Sequence, residues 1–281
     1  MKADNKAGES TSFAGHPRPV VLSVQSLTRR FGTGAEERLV LDAVSVDVRV
    51  GEFVCIVGPS GAGKTTLLRC MAGLLAPNSG GVYLDGQLVD SPPRKVAVVF
   101  QDYSRSLLPW MRVSRNVTLP LRNSGKSKEE QQKVAHDALA AVGLAGQEGL
   151  YPWQMSGGMQ QRVAIARALA FQPEALLMDE PFASVDAQTR GDLEDLILRI
   201  RNKFDMTVAL VTHDIDEAVY LADQVVVLSG RPTSVRAALS VPFGPIRNQI
   251  STKSRPEFME LRNHVLELVR GQRADPGDTD G

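Results

Sequence analysis

Nine consecutive residues in the first quarter of the chain have the composition of a phosphate-binding loop. The stretch GPSGAGKTT at 58–66 fits the pattern G-x-x-x-x-G-K-[ST], with an apolar segment before it and a helical pattern after it. The glycines allow backbone N–H groups to converge on phosphate oxygens. At this spacing Lys64 would bridge the β- and γ-phosphates of a nucleotide, and the hydroxyl of Thr65 would ligate Mg²⁺. The alternative is a glycine-rich turn that binds nothing.

A second stretch, LLMDEP at 176–181, is an apolar strand pattern that ends in two carboxylates. Asp179 at the end of the strand suits the ligand shell of Mg²⁺. Glu180 follows where the chain leaves the sheet, and there it can orient and deprotonate an attacking water. The alternative is an acidic helix N-cap before Pro181. A phosphate loop in the same sheet favours the catalytic interpretation.

Three further side chains are candidates for the site only because the phosphate loop and the Asp179-Glu180 pair are present. Gln101 ends the strand pattern 96–101, and its amide can ligate Mg²⁺ or the attacking water. His213 follows the strand pattern 207–212 and can form a hydrogen bond with a γ-phosphate. The ring of Phe31 can stack on a base. Taken singly, each of these residues is more often structural than functional.

The stretch MSGGMQQRVAIARAL at 155–169 begins a helix with Ser-Gly-Gly. Each glycine inside a helix costs about 1 kcal/mol relative to alanine. The uncovered N–H groups at such a helix start bind anions. The chain therefore carries two anion-binding helix starts, this one and the one that follows the phosphate loop.

Strand and helix patterns alternate along much of the chain, which indicates a parallel sheet covered on both faces. The strand patterns lie at 20–27, 43–50, 53–58, 96–101, 175–179, 207–212, 225–229 and about 233–241, with a hairpin at 81–89 around Asp85-Gly86. Helical patterns predominate at 102–170, where Ser127 and Glu130 have the spacing of a capping box. A later helix is predicted to bury Leu193, Leu196, Ile197, Ile200 and Phe204 on one face, and a final helix is predicted at about 256–270.

The composition bounds the class of protein. The chain has 281 residues, which is one large domain or two small ones, and its 32 basic and 32 acidic residues argue against a nucleic-acid-binding polycation. Cys55 and Cys70 lie in apolar patterns and are predicted to be reduced core residues. We find no apolar run of the ~18 residues that a membrane span needs, and no secretory signal. We expect disordered tails at 1–18 and 271–281 around a single domain at 19–270.

The motifs occur along the chain in this order: the phosphate loop, Gln101, the Ser-Gly-Gly helix, Asp179 with Glu180, Asp186, and His213. This order resembles the ATP-binding subunit of an ABC transporter, and the stretch SGGMQQR resembles the L-S-G-G-Q signature of that family. The resemblance covers about residues 20–230. It implies an α/β P-loop NTPase fold with a mostly parallel core sheet, an N-terminal antiparallel β subdomain and a helical insert.

The resemblance also implies a role for each matching residue. ATP would be bound by Phe31 at the adenine, by Gly58, Pro59, Ser60, Gly61, Ala62, Gly63, Lys64, Thr65 and Thr66 at the phosphates, and by the signature Ser156, Gly157 and Gly158 with the D-loop Asp186. The catalytic residues would be Lys64, Gln101, Glu180 and His213, and the Mg²⁺ ligands would be Thr65, Gln101 and Asp179. The sequence departs from the family pattern at Met155, at Met159 and in the stretch ASVD at 183–186.

The family assembly explains the two anion-binding helix starts. In such transporters two ATP-binding subunits dimerise head to tail, and the signature helix of one caps the γ-phosphate held by the other. The positive end of the helix dipole favours that phosphate. The resemblance thus implies a homodimer with ATP and Mg²⁺ as cofactors.

Two stretches, 106–117 and 254–269, look like the nitrate/sulfonate/taurine importer group. That group implies two integral-membrane permease subunits, an extracytoplasmic solute-binding protein, no nucleic acid, and a peripheral location at the cytoplasmic face of the inner membrane. Pro109 and Trp110 would then contact the permease. The alternative for Trp110 is simple packing within the helical insert.

A soluble ABC ATPase of DNA repair or translation is the alternative function. A DNA-repair or chromosome-organising member would separate Lys64 from Asp179 by a long coiled coil, and the sequence between them has no sustained heptads. A translation-type member usually carries two cassettes, whereas this chain shows one. A P-loop small-molecule kinase would lack the Ser-Gly-Gly helix and His213.

Overall fold

A computed structural model describes residues 18–102 and 106–271. The tails predicted at 1–18 and 271–281 lie outside these ranges except for Arg18 and Gly271. The strands are β1 Val20–Phe31, β2 Arg38–Arg49, β3 Phe53–Val57, β4 Ser79–Leu84, β5 Gln87–Leu88, β6 Val96–Val99, β7 Ala175–Asp179, β8 Thr207–Val211, β9 Gln224–Leu228 and β10 Val235–Ser240. The α-helices are α1 Lys64–Met71, α2 Val113–Thr118, α3 Lys128–Ala141, α4 Gly157–Ala170, α5 Ala187–Phe204, α6 Ile215–Leu221, α7 Gln249–Lys253 and α8 Pro256–Arg270.

The strands form two sheets. The first is antiparallel and has the order β2-β1-β4-β5. The second has the order β10-β9-β3-β8-β7-β6, in which β6, β7, β8, β3 and β9 run parallel and β10 pairs antiparallel at the edge. This arrangement confirms the predicted fold class.

The second sheet is covered on both faces, as its uninterrupted apolar strands predict. Along β3, Phe53, Cys55 and Val57 pack in one core cluster, whereas Val54 and Ile56 pack in the other. The first cluster includes residues of α3, α4, α5, α6 and α8, and the second includes α1 and the antiparallel sheet. Alternation along one buried strand therefore joins the two layers of the protein.

The helical region predicted at 102–170 has α2, α3 and α4 between β6 and β7. Its capping box is present: the N–H of Glu130 donates to Oγ of Ser127 at 3.2 Å, and the N–H of Ser127 donates to Oε2 of Glu130 at 2.6 Å. This exchange satisfies two N–H groups at the helix start that α3 itself cannot pair.

Some local predictions are wrong. Phe204 is 49% exposed, because α5 ends there and the chain turns at Asp205, so that Met206 is the buried apolar residue of this segment. Strand β6 ends at Val99, so Gln101 lies in a bend two residues past the strand. Cys55 and Cys70 are buried free thiols, as predicted. Within the described ranges no helix is both long and apolar enough to cross a bilayer.

Candidate active site

Parallel strands place their carboxyl ends at one edge of a sheet, and the predicted motifs follow these ends. The phosphate loop follows β3, Gln101 follows β6, Glu180 follows β7 and His213 follows β8. The sheet order puts β8 between β3 and β7, so side chains remote in sequence meet at this edge.

The phosphate loop depends on glycines at two positions with positive φ. Gly61 has φ of 77° and Gly63 has φ of 73°, which other residues rarely adopt. A Cβ atom on Gly63 would also lie 2.8 Å from Cγ1 of Val40. Gly63 directly precedes α1, so the unpaired N–H groups of the first helical turn follow the loop. The local geometry suits an anion.

A cavity of about 630 Å³ lies over this loop. It is lined by Phe31, Val40, Ser60, Gly61, Ala62, Gly63, Lys64, Thr65, Thr66, Glu180, His213 and Arg231. Phe31 is 40% exposed, and the guanidinium of Arg29 lies 4.8 Å from its ring centroid. An exposed aromatic ring beside a phosphate loop suits a ligand that has both a base and phosphates.

The side chain of Lys64 is buried among the other residues of the phosphate loop. Its Nζ donates to the carbonyl oxygen of Gly58 at 2.9 Å and to that of Pro59 at 3.2 Å. Burial lowers the pKa of Lys64, while the charges of Glu180 and Asp179 act in the opposite direction. The ammonium group is therefore held at the base of the cavity by acceptors of its own loop.

The predicted metal ligands Thr65 and Asp179 are in contact. Oγ1 of Thr65 donates to Oδ1 of Asp179 at 3.0 Å. Burial raises the pKa of the Asp179 carboxyl, and the hydrogen bond from Thr65 opposes that shift. Hydroxyl and carboxylate oxygens are the ligand types of Mg²⁺, which usually takes few protein ligands beside water and phosphate. Among the described residues, no group of three or more His, Cys, Asp or Glu side chains is arranged to hold a metal ion.

Gln101, Glu180 and His213 form one hydrogen-bonded group. Oε2 of Glu180 accepts from Nε2 of Gln101 at 3.3 Å and lies 3.0 Å from Nδ1 of His213. The backbone N–H of Glu180 donates to the carbonyl of Val211 at 2.8 Å, which ties the end of β7 to the end of β8. The carboxylate is thus oriented from both sides at the cavity wall.

The signature residues, Ser156, Gly157 and Gly158, lie at the start of α4, away from the residues that line the cavity. Oγ of Ser156 caps α4 by accepting from the N–H of Met159 at 3.3 Å. A side chain at Gly158 would collide with the methyl group of Thr189. Ser156, Gly157, Gly158 and Asp186 are not among the residues that line the cavity.

The D-loop residue Asp186 is linked to the signature through the same threonine. Its carboxylate caps α5 by accepting from the N–H of Thr189 at 3.0 Å and from the Thr189 hydroxyl at 2.7 Å. These hydrogen bonds lower the pKa of Asp186. Thr189, which sequence reasoning missed, therefore joins two predicted ligand-binding segments.

Two other findings concern residues that were not predicted to bind ATP or Mg²⁺. Arg231 and Val40 line the cavity although neither belongs to a motif, and their positions depend on contacts across the fold. Trp110 is 70% exposed, so the alternative that it packs within the helical insert is wrong.

Comparison with known proteins places these features in a family. Residues 41–183 match the ABC transporter family model. The taurine import ATP-binding protein of Yersinia pseudotuberculosis is 45% identical over 240 residues, which cover 83% of this chain and 92% of that protein. The nitrate import ATP-binding protein of Synechocystis sp. is 39% identical over 259 residues, which cover 90% and 97%. A solved dimeric ATP-binding cassette with bound ADP and phosphate has a TM-score of 0.69 at 32% identity, covering 79% of this chain and all of that one.

Proposed function

The chain belongs to the ABC transporter ATP-binding family, and from this premise we propose that it powers the uptake of a small anion or sulfonate-type organic solute. It binds and hydrolyses ATP, and the transported solute passes through a separate permease. The relatives named for taurine and nitrate import support this solute class, and they favour import over a soluble role in DNA repair or translation.

The observation that carries the proposal is the hydrogen-bonded group of Glu180, Gln101 and His213, in which Glu180 and His213 line the cavity. Glu180 takes a proton from the water that attacks the γ-phosphorus, and the bond to the ADP oxygen breaks as the new P–O bond forms. Gln101 and His213 hold the carboxylate in place, and His213 also reaches the γ-phosphate. Lys64 stabilises negative charge on the β- and γ-phosphates.

Thr65 and Asp179, with Gln101, hold Mg²⁺ in this proposal. The hydroxyl of Thr65 and the buried carboxylate of Asp179 are already 3.0 Å apart. The ion would neutralise charge on the β- and γ-phosphates. The positive charge of the ion would also offset the free-energy cost of desolvating the Asp179 carboxylate.

Assembly completes the pocket. We assign Ser156, Gly157, Gly158 and Asp186 to the ATP held by a second copy, because they do not line the cavity of their own chain. Asp179 and Gln101 do not line it either, but they form hydrogen bonds with Thr65 and Glu180, which do. Two copies, two permease subunits and an extracytoplasmic solute-binding protein form the transporter, with this chain peripheral at the cytoplasmic face of the membrane. Trp110, exposed on the helical region, contacts the permease.

The experiment is recovery of tagged Glu180→Gln chain from detergent-solubilised native membranes with ATP and Mg²⁺, followed by mass spectrometry. We expect a polytopic membrane protein to accompany it, and less of that protein with Trp110→Ala in the same background. Uptake of radiolabelled taurine and nitrate by proteoliposomes of the purified complex then tests the solute class. Recovery of soluble proteins or nucleic acid without a membrane protein contradicts the importer function.

A further inference from the structure

The turn between β9 and β10 reaches the phosphate loop from a distant part of the sequence. Oγ1 of Thr233 in this turn donates to the carbonyl of Ala62 at 2.7 Å. The N–H of Thr233 donates to the carbonyl of Val40 at 3.0 Å, and its carbonyl accepts from the N–H of Asp42 at 2.8 Å. Thr233 is fully buried, so the turn is fixed against the loop and β2.

Arg231 extends from this turn into the wall of the cavity. Its Nε donates to the carbonyl of Gly61 at 2.6 Å, and the guanidinium lies close enough that a Cβ on Gly61 would be 3.1 Å from Nη2. Across the described ranges, no carboxylate forms an ion pair with Arg231. An arginine has five N–H donors, and the bond to Gly61 uses one of them.

We propose that Arg231 is a nucleotide-binding residue whose Nη groups donate to oxygens of the β- or γ-phosphate of ATP. The inference rests on the proposed ATP site at the phosphate loop. Guanidinium groups bind phosphate through paired, charge-assisted hydrogen bonds, and this guanidinium lines the same cavity as Lys64 and the loop. Lys64 already donates to two carbonyls of the loop, so Arg231 supplies a second positive charge whose donors remain available.

The competing role for Arg231 is purely structural: its hydrogen bond to Gly61 could act only as a brace that stabilises the phosphate loop. Arg231→Gln separates the two roles. The amide nitrogen of glutamine occupies the same place along the side chain as Nε of arginine, so the variant keeps a donor for Gly61. It loses both Nη groups and the positive charge. Arg231→Ala removes the brace as well, and Arg231→Lys keeps the charge without the paired donors.

Arg236 provides the matched control for loss of a positive charge. It is exposed on β10, donates through Nη1 to the carbonyl of Leu268 at 2.6 Å, and does not line the cavity. Arg236→Gln therefore removes the same charge near the same turn without removing a donor from the site.

Calorimetric titration of the full chain with ATP, ADP and AMP tests the proposal. We expect Arg231→Gln to weaken ATP binding about tenfold, the equivalent of ~1.4 kcal/mol, and to weaken AMP binding much less. Arg231→Lys should recover part of the loss, and Arg236→Gln should match the unmodified chain. Thermal melting of each variant checks the fold.

Three results would overturn the inference. Unchanged ATP affinity in Arg231→Gln together with a loss in Arg231→Ala leaves only the brace. Equal losses for ATP and AMP exclude a contact that depends on the terminal phosphates. If the unmodified chain and Lys64→Ala both fail to bind ATP, the proposed ATP site itself is wrong, which distinguishes that failure from failure at Arg231.

Discussion

Nδ1 of His213 lies 3.0 Å from Oε2 of Glu180, across the ends of two adjacent parallel strands. The two residues are 33 positions apart in the sequence. The contact exists because β7 and β8 pair in register and each chain segment leaves the sheet at the same edge. The carboxylate proposed as the base therefore contacts the residue proposed to reach the γ-phosphate, and its position depends on the segment that follows β8.

Glu180→Gln should retain ATP binding and lose hydrolysis. The amide keeps the size of the side chain and a hydrogen-bonding oxygen or nitrogen for His213, but it cannot accept the proton of the attacking water. Loss of a general base lowers turnover by about 10²–10⁴-fold. Measuring both the ATP affinity and the rate of phosphate release of Glu180→Gln checks this prediction. A normal rate of phosphate release would mean that another residue is the base.

Lys64→Ala should abolish hydrolysis. The substitution removes the positive charge proposed to contact the β- and γ-phosphates. It also removes the donor to the carbonyl of Gly58, whereas the carbonyl of Pro59 still accepts from the N–H of Ala62. Lys95→Ala is the control, because Lys95 is exposed and pairs with Asp85 and Glu174 outside the cavity. Turnover assays should show the activity of the unmodified chain for Lys95→Ala. Equal activity in Lys64→Ala would mean that the loop assignment fails.

Local motifs were accessible from the sequence, whereas contacts between distant segments were not. The phosphate loop and the helix caps depend on neighbouring residues, so their patterns predicted them. Strand order was not readable, and the hydrogen bonds among Gln101, Glu180 and His213 depend on that order. The contact between Arg231 and Gly61 spans 170 residues and left no pattern in the sequence. Periodicity failed at Phe204, because the helix ends at this residue and the chain turns at Asp205, which buries Met206 instead.

Ser156→Arg should block ATP-driven dimerisation and leave nucleotide binding by the single chain intact. Ser156 is exposed at the start of α4 and does not line its own cavity, so a large cation there obstructs only a second copy. Ser156→Ala is the control: it loses the cap, at about 1 kcal/mol, but keeps the surface small. Size-exclusion chromatography with ATP, in the Glu180→Gln background, shows which of the two variants still forms a dimer. Loss of ATP binding by the Ser156→Arg monomer would place the signature in its own chain's site.

Glu217 on α6 is a buried carboxyl next to the segment that carries His213. Burial, together with the neighbouring carboxylates of Glu194 and Asp214, raises the pKa of Glu217 to about 8. The hydroxyl of Thr212 donates to its Oε2 at 2.8 Å, and that bond and the charge of Arg190 lower the pKa. Burial raises the pKa of the Cys55 thiol on β3, and the charge of Glu217 raises it as well.

This shift should make the unfolding free energy fall with rising pH. Between the ordinary pKa of 4.5 and about 8 the folded chain binds a proton at Glu217 that the unfolded chain has released, so each step up in pH favours unfolding. Glu217→Gln keeps an acceptor for Thr212 and removes this titration. Urea unfolding across that window should show a shallower decline for Glu217→Gln, with a gain in stability at the alkaline end. Glu260→Gln, at an exposed site on α8, should retain the slope of the unmodified chain. Equal slopes for all three proteins would mean that Glu217 is ionised in the folded state.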